Sequence, residues 1–366
     1  MRYLSLFSGI EAATVAWRDL GWECVAVAEI DPFASAVLAQ RFPDVPNLGD
    51  VTKITKAQIE RLGEIDIVVG GFPCQDLSIV GKRRGLKLGD GTLTRSGLFY
   101  VALQIVKWAK PRFLLLENVP GLLSSNSGRD FAAVVEAILE CRLDGEPGLP
   151  TSSRKKLRWE NAGIAASRTA LLEWATLDAQ YFGVPQRRRR IFALADFGDW
   201  RDRPPILFVP ESLHGDPETL AKPQHKAASG AGASLEGGGK SQPGVAPGTR
   251  NNNLTPPLSF YHHSGLNQTI QTDLSPPLIV SGKTSGIPPA VLYCLPTKDG
   301  VNRHLRRFTP TECERLQGFP DSHTKIAYRK KLPDQCPSGA RYKALGNAFP
   351  VPVLRWIGKQ IQKTSD

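Results

Sequence analysis

The residue best suited to chemistry in this chain is a cysteine at the end of an apolar segment. Cys74 follows the run of residues 65–69 and two glycines, within Phe72-Pro73-Cys74-Gln75. A thiol at the carboxyl end of a buried strand lies where open α/β sheets place their chemistry, and Pro73 stiffens the backbone beside it. The pattern therefore predicts a nucleophile. A buried structural cysteine is the alternative interpretation.

A glutamate and a run of arginines occupy similar positions. Glu117 ends the apolar run 113–116, and because glutamate is depleted in strand interiors it predicts a carboxyl group that faces the cleft of Cys74 with an environment-tuned pKa. Gln186, Arg188 and Arg190 share one face of a further strand if side chains alternate. Guanidinium groups suit contacts with a base carbonyl or with phosphates. An exposed strand end and a solvated basic run are the alternatives.

Three further strand ends suggest a nucleoside-containing cofactor. The small residues of Leu6-Phe7-Ser8-Gly9-Ile10 allow a ligand to approach the backbone, but G-x-G-x-x-G is absent. Glu29 ends the second strand, where an acid can accept hydrogen bonds from ribose hydroxyls. Asp50 follows a third candidate strand and could bind an adenine amino group. Together these signals predict a cofactor with adenosine but no diphosphate, although acids at strand ends are often helix N-caps.

Alternating strand and helix signals over residues 1 to about 135 predict an α/β fold with a doubly wound, mostly parallel sheet. We expect strands at 3–7, 24–28, 65–69, 113–116, 172–177 and 190–195, and helices at 11–20, 32–41, 98–109 and 131–139. A polar insertion at about 142–166, with the basic cluster Arg154-Lys155-Lys156, interrupts this pattern. Thr309, Pro310 and Glu312 predict the start of a helix over 311–316, and a last helix is expected at 353–362.

Composition divides the chain further. We expect a catalytic and cofactor-binding domain at 1–199, a smaller Pro/Gly/Ser-rich domain at 200–302, and a C-terminal segment at 303–366 that returns to the first domain. The repeated Leu254-Thr255-Pro256-Pro257-Leu258 and Leu274-Ser275-Pro276-Pro277-Leu278 suggest two hairpins, or coincidence in a proline-rich segment.

The composition favours a protein with a polyanionic partner. The 366 residues carry a formal net charge of +11, and 41% are hydrophobic. Lysines and arginines that neutralise phosphates release counterions, so nucleic acid is the natural partner, with solubility alone as the alternative. No apolar run is long enough to cross a membrane, and no signal peptide is recognisable. The six cysteines lack CxxC pairing, so we expect reduced thiols and no metal.

The chain resembles the DNA (cytosine-5) methyltransferases of prokaryotic or phage type. The matching stretches follow that family's order and cover most of residues 1–199 and 303–366, whereas the variable target-recognition domain would fall at about 200–302. They are Leu6 to Ile10, Glu29-Ile30-Asp31, Gly49-Asp50-Val51, Gly71 to Gln75, Gly97-Leu98-Phe99, Glu117-Asn118-Val119, Gln186 to Arg190, Arg306 to Pro320 and Gly346-Asn347-Ala348.

This resemblance implies a mechanism. Cys74 would attack C6 of a cytosine flipped out of double-stranded DNA, and Glu117 would hold N3 and the exocyclic amine. Arg190 would bind O2 of the base, while Arg188 would help to hold the covalent complex. C5 would then take a methyl group from S-adenosylmethionine, and loss of the C5 proton would release the thiol. The fold would be that of S-adenosylmethionine-dependent methyltransferases.

The resemblance also implies binding residues. The cofactor pocket would be lined by Phe7, Gly9, Ile10, Glu29, Ile30, Asp50, Val51, Pro73, Leu98 and Asn347. DNA would contact Gln75, Ser78, Lys82, Arg83, Arg84 and Gln186, most of them on a loop that closes over the substrate. The protein would act as a monomer in the cytoplasm of a bacterium or a phage-infected cell. It would take part in restriction–modification where a cognate restriction endonuclease exists.

Departures from the family pattern are few. Ser5 stands where many members have Asp, Glu11 and Ala12 replace a common Gly-Gly pair, and Ala348 replaces a frequent Ser. We expect these replacements to be tolerated, because the affected contacts are largely made by the backbone. Two other functions stay open: a tRNA cytosine C5 methyltransferase, and a non-catalytic DNA-binding relative. The second usually lacks the nucleophile or the acid, both of which this chain keeps.

Overall fold

The computed structural model describes residues 1–72, 97–142, 157–208, 258–261, 269–271, 290–297 and 300–364. Their strands are β1 (Arg2–Leu6), β2 (Glu23–Ala28), β3 (Ile67–Gly70), β4 (Phe113–Asn118), β5 (Ala162–Ala166), β6 (Leu171–Asp178), β7 (Arg189–Asp196), β8 (Leu258–Tyr261), β9 (Thr269–Gln271), β10 (Ala290–Thr297) and β11 (Gly300–Arg307). Their α-helices are α1 (Ala12–Trp17), α2 (Pro32–Arg41), α3 (Lys56–Arg61), α4 (Gly97–Ala109), α5 (Arg129–Leu139), α6 (Pro310–Gln317), α7 (Ser338–Asn347) and α8 (Val351–Lys363).

The main sheet has the strand order β2-β1-β3-β4-β7-β6-β5. The first four strands are mutually parallel, whereas β7 is antiparallel to both β4 and β6, and β5 is antiparallel to β6. Five of the seven strands therefore run in one direction. The chain reverses its direction of travel across the sheet at β1, so the carboxyl ends of β1 and β3 border the crevice where such sheets bind ligands.

Alternating side chains of the strands bury both faces of the sheet. Leu4, Val68 and Leu114 pack in one core with α3, α4 and α5. Tyr3, Ile67 and Phe113 pack in the other core with α1, α2 and α8. Burying a large apolar side chain contributes roughly 1.5–3 kcal/mol, so both layers stabilise the sheet. The predicted doubly wound, mostly parallel α/β fold is confirmed.

The C-terminal segment completes the second of these cores. The indole Nε1 of Trp17 in α1 donates a hydrogen bond to the Leu354 carbonyl in α8, at 2.8 Å. A Cβ at Gly358 would lie 2.5 Å from that same Nε1, so the two helices touch at a residue without a side chain. Helix α6 begins with the predicted capping box of Thr309 and Glu312. Helix α8 thus packs against α1 of the main sheet.

The expected third strand before Gly49 is wrong, because the chain there makes only one bridge, between Val27 and Asn47. Asp50 instead caps a 3₁₀ turn over Val51–Lys53 through its bond from the Thr52 amide. Helices α3 and α7 went unpredicted. A capping box of Thr55 and Gln58 marks the start of α3, whereas α7 contains two glycines and shows no clear period.

The predicted insertion at about 142–166 interrupts the alternation of strands and helices only in part. Residues 143–156 lie outside the described residues, but β5 forms the edge strand of the main sheet. The ring of Trp159 packs against Phe131 at 5.0 Å and against Trp174 at 5.6 Å, and its Nε1 donates to the Gly128 carbonyl. The end of the insertion therefore belongs to the core, because its tryptophan fills an aromatic cluster that the polar composition conceals.

A second sheet has the order β11-β10-β8-β9, with antiparallel neighbours throughout. The first hairpin of this sheet pairs β8 with β9, and the second proline repeat, 274–278, lies outside the described residues. The domain boundaries stay a prediction. Over the described part of the chain, no helix is both long and apolar enough to span a membrane.

Candidate active site

A cleft of about 890 Å³ opens at the carboxyl ends of the parallel strands. Its volume lies within the range of roughly 300–1,000 Å³ that is typical of ligand pockets. Seven predicted site residues line it together: Phe7, Gly9, Glu29, Glu117, Arg188, Arg190 and Asn347. They lie in or directly beside β1, β2, β4, β7 and α7, so the fold assembles the cleft from both ends of the chain.

Glu117 and Arg190 form an ion pair at the floor of this cleft. Because β7 runs antiparallel to β4, the start of β7 lies beside the end of β4. The Nε atom of Arg190 is 2.9 Å from Oε1 of Glu117, and both side chains are largely buried. A charge-assisted hydrogen bond between such groups is short and strong, so the carboxyl group is held in one place.

The surroundings of Glu117 act on its pKa in opposite directions. Burial raises the pKa of the carboxyl group, while the positive charges of Arg190 and Arg188 lower it, and the pKa stays above its usual value. Burial also lowers the pKa of the Arg188 guanidinium to about 9, with a further contribution from Arg190. A carboxyl group with a raised pKa binds a proton more readily near neutral pH, which suits proton transfer.

Arg188 connects the cleft to the C-terminal segment. Its backbone amide donates to Oδ1 of Asp178 at 2.8 Å. Its Nη2 donates to the carbonyls of Gly346 and Ala348, which flank Asn347, at 3.1 and 2.7 Å. Its Nε and Nη1 are buried without a hydrogen-bond partner. Arg188 therefore positions the turn that carries Asn347 and keeps two unused donors inside the protein.

The backbone that leads to Cys74 is fixed by two neighbours. The Asn118 side chain donates to the Phe72 carbonyl at 3.0 Å and accepts from the Val119 amide at 2.8 Å. A Cβ on Gly71 would lie 2.6 Å from the Phe349 ring and 3.3 Å from Oε2 of Glu117. The close approach requires glycine at this position. The sequence analysis assigned no role to Gly71 or to Asn118, although both lie inside the matched motifs.

On the opposite side, the loop after β1 borders open space. Phe7 and Gly9 both have positive φ, and a Cβ on Gly9 would meet no atom within 4 Å. The Gly9 amide donates to Oε2 of Glu29 at 2.8 Å, and Oε1 of Glu29 accepts from the amides of Ile30 and Asp31. A carboxylate has about four acceptor positions, so Glu29 keeps one for a ligand hydroxyl.

Five further predicted cofactor residues that the structure describes do not line the cleft: Ile10, Ile30, Asp50, Val51 and Leu98. Ile10 is fully buried, and its carbonyl accepts from Nε2 of His323 at 2.8 Å. Ile30 is 70% exposed, and Val51, the first residue of the turn that Asp50 caps, is buried. Leu98 is half-buried at the start of α4.

The predicted DNA contacts are not brought together by the described residues. Gln186 is 0% exposed, and both polar atoms of its amide lack a partner. A DNA contact by Gln186 would therefore require this side chain to be uncovered. Seven predicted site residues lie outside the described residues: Pro73, Cys74, Gln75, Ser78, Lys82, Arg83 and Arg84.

Glu11 was expected to be a tolerated departure from the family pattern, and the structure gives it a place. It has a φ of 59°, in the left-handed region, and is 1% exposed. Its Oε1 accepts from the Thr14 amide at 3.1 Å and caps α1, while Oε2 is buried without a partner. Burial raises the pKa of this carboxyl to about 7, although hydrogen bonds from Ser5 and Thr14 oppose the shift.

The described cysteines Cys24, Cys141, Cys313 and Cys336 are free thiols, and the last three are buried. They lie in the two cores or pack against them. Within the described residues, no group of three or more His, Cys, Asp or Glu is arranged to hold a metal ion.

Comparison with known proteins identifies the family of this chain. The model of a family described as C-5 cytosine-specific DNA methylase matches residues 1–149 and 259–363. The chain belongs to this family of C-5 cytosine-specific DNA methylases. The resemblance and the enzyme class predicted from the motifs, a DNA cytosine methyltransferase, are thereby confirmed.

Similar proteins come from phages and bacteria. A DNA N-6-adenine-methyltransferase of Escherichia phage P1 is 32% identical over 99% of this chain and 61% of its own length. The type II methyltransferase M2.BsuMI of Bacillus subtilis is 29% identical over 99% of this chain and 76% of its own length. The type II methyltransferase M.MspI of Moraxella is 26% identical over 98% and 70%. The chain therefore spans less than two thirds of the phage P1 relative.

Solved structures share the fold. The S. pombe Dnmt2 methyltransferase aligns with a TM-score of 0.60 at 17% identity, over 100% of this chain and 99% of its own. A putative DNA modification methyltransferase encoded within an E. coli prophage aligns with a TM-score of 0.52 at 18% identity, over 100% and 99%. At such identities the likeness shows the methyltransferase fold alone.

Proposed function

We propose that this protein methylates C5 of a cytosine flipped out of double-stranded DNA, within a specific sequence. The observation that carries the proposal is the buried Glu117–Arg190 pair, which lies one strand away from the segment leading into Pro73-Cys74. The family match supports the reaction type, and the net charge of +11 supports a polyanionic substrate.

The proposed methyl donor is S-adenosylmethionine, which supplies the methyl group when bound. The open space beside Gly9 and the free acceptor position of Glu29 fit an adenosine-containing ligand without a diphosphate. We assign Phe7, Gly9, Glu29 and Asn347 to this pocket, because they line the cleft. Ile10, Ile30, Asp50, Val51, Pro73 and Leu98 stay predictions from the resemblance.

In the proposed reaction the Cys74 thiolate forms a bond to C6 of cytosine. The ring electrons move towards N3, where Glu117 supplies a proton, and C5 becomes nucleophilic. After C5 gains its methyl group, its proton passes to a solvent water, the C5–C6 double bond forms again and the thiolate leaves C6. N3 returns its proton to Glu117. The raised pKa of Glu117 supports the proton transfer, since burial makes the protonated form more accessible than it is for an ordinary carboxyl group.

The two arginines of the cleft have different proposed roles. Arg190 holds Glu117 and lies where a guanidinium group can also reach O2 of the base. Arg188 keeps two buried donors without a partner, and these can stabilise the covalent complex. Both roles require the base outside the helix, because a base stacked within a duplex cannot reach side chains inside a protein cleft.

The proposed DNA contacts follow from the sequence. Gln75, Ser78, Lys82, Arg83 and Arg84 lie on the segment between Cys74 and α4, and phosphate contacts by such residues position the duplex. We further propose a monomer in the cytoplasm of a bacterium or a phage-infected cell, because the relatives come from such sources. A cognate restriction endonuclease is the proposed partner where one exists, since several relatives are type II methyltransferases.

One experiment tests the reaction and the target base together. Purified protein is incubated with S-adenosylmethionine and plasmid DNA, the DNA is digested, and the methylated nucleosides are identified by mass spectrometry. We expect 5-methylcytosine with the wild type and none with Cys74→Ala at matched folding. N6-methyladenine would overturn the proposal and match the activity for which the phage P1 relative is named. Methylation of tRNA but not of DNA would show that the substrate is RNA.

A further inference from the structure

A two-residue turn at the rim of the cleft adopts a conformation that its residues disfavour. Tyr328 and Lys331 exchange two backbone hydrogen bonds, both of 3.1 Å, across Arg329 and Lys330. Arg329 has a φ of 48° and Lys330 a φ of 63°. Turns with positive φ at both central residues favour Asn-Gly, because other side chains are strained there. The turn therefore places two long cationic residues in a backbone conformation that is strained for both.

The fold gains little from these two side chains. Both are exposed, and the Arg329 guanidinium lies over the Tyr328 ring at 5.2 Å from its centroid. Among the described residues, no ion pair involves Arg329, Lys330 or Lys331, whereas the nearby Lys325 and Lys343 are paired with acids. Strained backbone that the surrounding structure maintains without an internal gain is characteristic of functional sites.

The turn is anchored at the cleft. The Tyr328 ring packs edge-on against Phe33 in the first turn of α2, with 5.1 Å between centroids. Tyr328 and Arg329 both line the cleft that contains Glu117 and Arg190. Arg329 thus lies at the rim of the cleft, and Lys330 and Lys331 follow it on the same turn, which the contact with Phe33 supports. Fixed charges lose less conformational freedom when they bind a partner.

We propose that the turn Tyr328–Lys331 is a DNA phosphate contact that the C-terminal segment contributes at the cleft rim. This rests on the proposed function, because the partner is the duplex whose cytosine enters the cleft. Three adjacent cations on one short turn suit successive phosphates of a polyanion better than a single small anion. The contact positions the duplex and carries no sequence information by itself.

The test uses a variant that should separate stability from binding. Arg329→Asn with Lys330→Gly installs the pair that this turn geometry favours and removes two charges. We expect a higher melting temperature than that of the wild type, together with weaker binding of duplex DNA. The slope of log affinity against log salt should fall by about 2, and affinity at moderate salt by about tenfold. A second variant, Lys331→Gln, lies outside the strained positions and should lower the slope by about 1.

Lys110 offers a matched control. It is exposed, has a φ of 50°, and lies between α4 and the amino end of β4, whereas the cleft lies at the carboxyl end of that strand. Lys110→Gly relieves a similar strain and also removes a cation. We expect a higher melting temperature with unchanged DNA affinity and an unchanged salt slope.

The outcomes distinguish this inference from the proposed function. If the wild type methylates DNA but the double variant keeps its affinity and its salt slope, the turn is structural and the inference is wrong. The inference is equally wrong if the double variant raises KM for S-adenosylmethionine and binds DNA as before. If the wild type neither binds nor methylates duplex DNA, the proposed function itself fails.

Discussion

The Nε atom of Arg190 lies 2.9 Å from Oε1 of Glu117, because the antiparallel pairing of β7 with β4 brings the start of one strand to the end of the other. This single contact fixes the position of the carboxyl group and also acts on its protonation. Burial favours the neutral acid, and the two nearby arginines favour the carboxylate. The site therefore balances two opposing influences on one group, and each can be changed by mutation.

Glu117→Gln should lower kcat by about 100-fold or more, since the amide keeps the shape of the side chain but cannot donate a proton to N3. Single-turnover methylation of a duplex substrate measures this effect. Binding of the duplex should be nearly unchanged. A variant with the wild-type rate would show that Glu117 is structural.

Arg190→Gln should shift the pH dependence of the remaining activity. The positive charge of Arg190 lowers the pKa of Glu117, so its removal raises that pKa further. The acid form is the active one in our mechanism, and its rate is lost as pH rises through the pKa. We therefore expect the alkaline limb of the pH–rate profile to move to higher pH. Arg189→Gln, on the exposed face of β7, is the control and should leave the limb in place. If the alkaline limb stays in place in both variants, Arg190 does not control the pKa of Glu117.

Gly71→Ala should lower kcat/KM roughly 10- to 100-fold, because the new methyl group would overlap the Phe349 ring and press on Glu117. Gly121→Ala is the matched control, since a Cβ there would meet no atom within 4 Å. Steady-state kinetics and thermal melts of both variants separate a displaced site from a damaged fold. Equal activity of the two variants would mean that the close approach at Gly71 has no role in catalysis.

Glu11→Gln should flatten the pH dependence of folding stability. The Glu11 pKa is raised from 4.5 to about 7, so between these values the native state holds a proton that the unfolded state releases. Wild-type stability therefore falls as pH rises through this window, by about 3 kcal/mol at roughly 1.4 kcal/mol per pKa unit. Denaturant titrations across the window measure the difference between the two proteins. Glu64→Gln, at an exposed position, should retain the wild-type slope; a wild-type slope in Glu11→Gln would refute the assignment.

His323→Leu should raise KM for S-adenosylmethionine about fivefold with little change in kcat, as expected for one lost hydrogen bond of about 1 kcal/mol. Burial lowers the pKa of His323 to about 4, so the ring is neutral and Nε2 donates to the Ile10 carbonyl beside Gly9. His323→Gln can restore this donor and should recover the wild-type KM. Equal KM values for both variants would exclude a positioning role.

The sequence revealed those parts of the site that are determined locally. Glu117 and Arg190 stand at strand boundaries, and an acid or a run of arginines at such a boundary is unusual enough to be noticed. The contact between His323 and Ile10 joins residues that are 313 positions apart, so no local pattern predicts it. Gln186 illustrates the opposite case, because the family resemblance implied a DNA contact while tertiary packing buries this side chain completely.

At Asp50 and Glu11 the structure differs from the expectation because each side chain accepts a hydrogen bond from a nearby backbone amide. Asp50 was expected at the end of a strand, but its carboxylate accepts from the Thr52 amide and stabilises a 3₁₀ turn instead. Glu11 replaces a glycine-like position and keeps its left-handed φ while capping α1. The structure therefore assigns a definite contact to a residue that the sequence marked only as a departure.

The central claim is that Cys74 forms a covalent bond with C6 of cytosine in DNA. Its most direct test is trapping with a duplex that carries 5-fluorocytosine at the methylated position, in the presence of S-adenosylmethionine. Fluorine at C5 cannot leave as a proton does, so the sulfur–C6 bond persists. The account predicts a protein–DNA complex that survives denaturing electrophoresis with the wild type and is absent with Cys74→Ser. Methylation of the unmodified duplex without any trapped complex on the fluorinated one would contradict it.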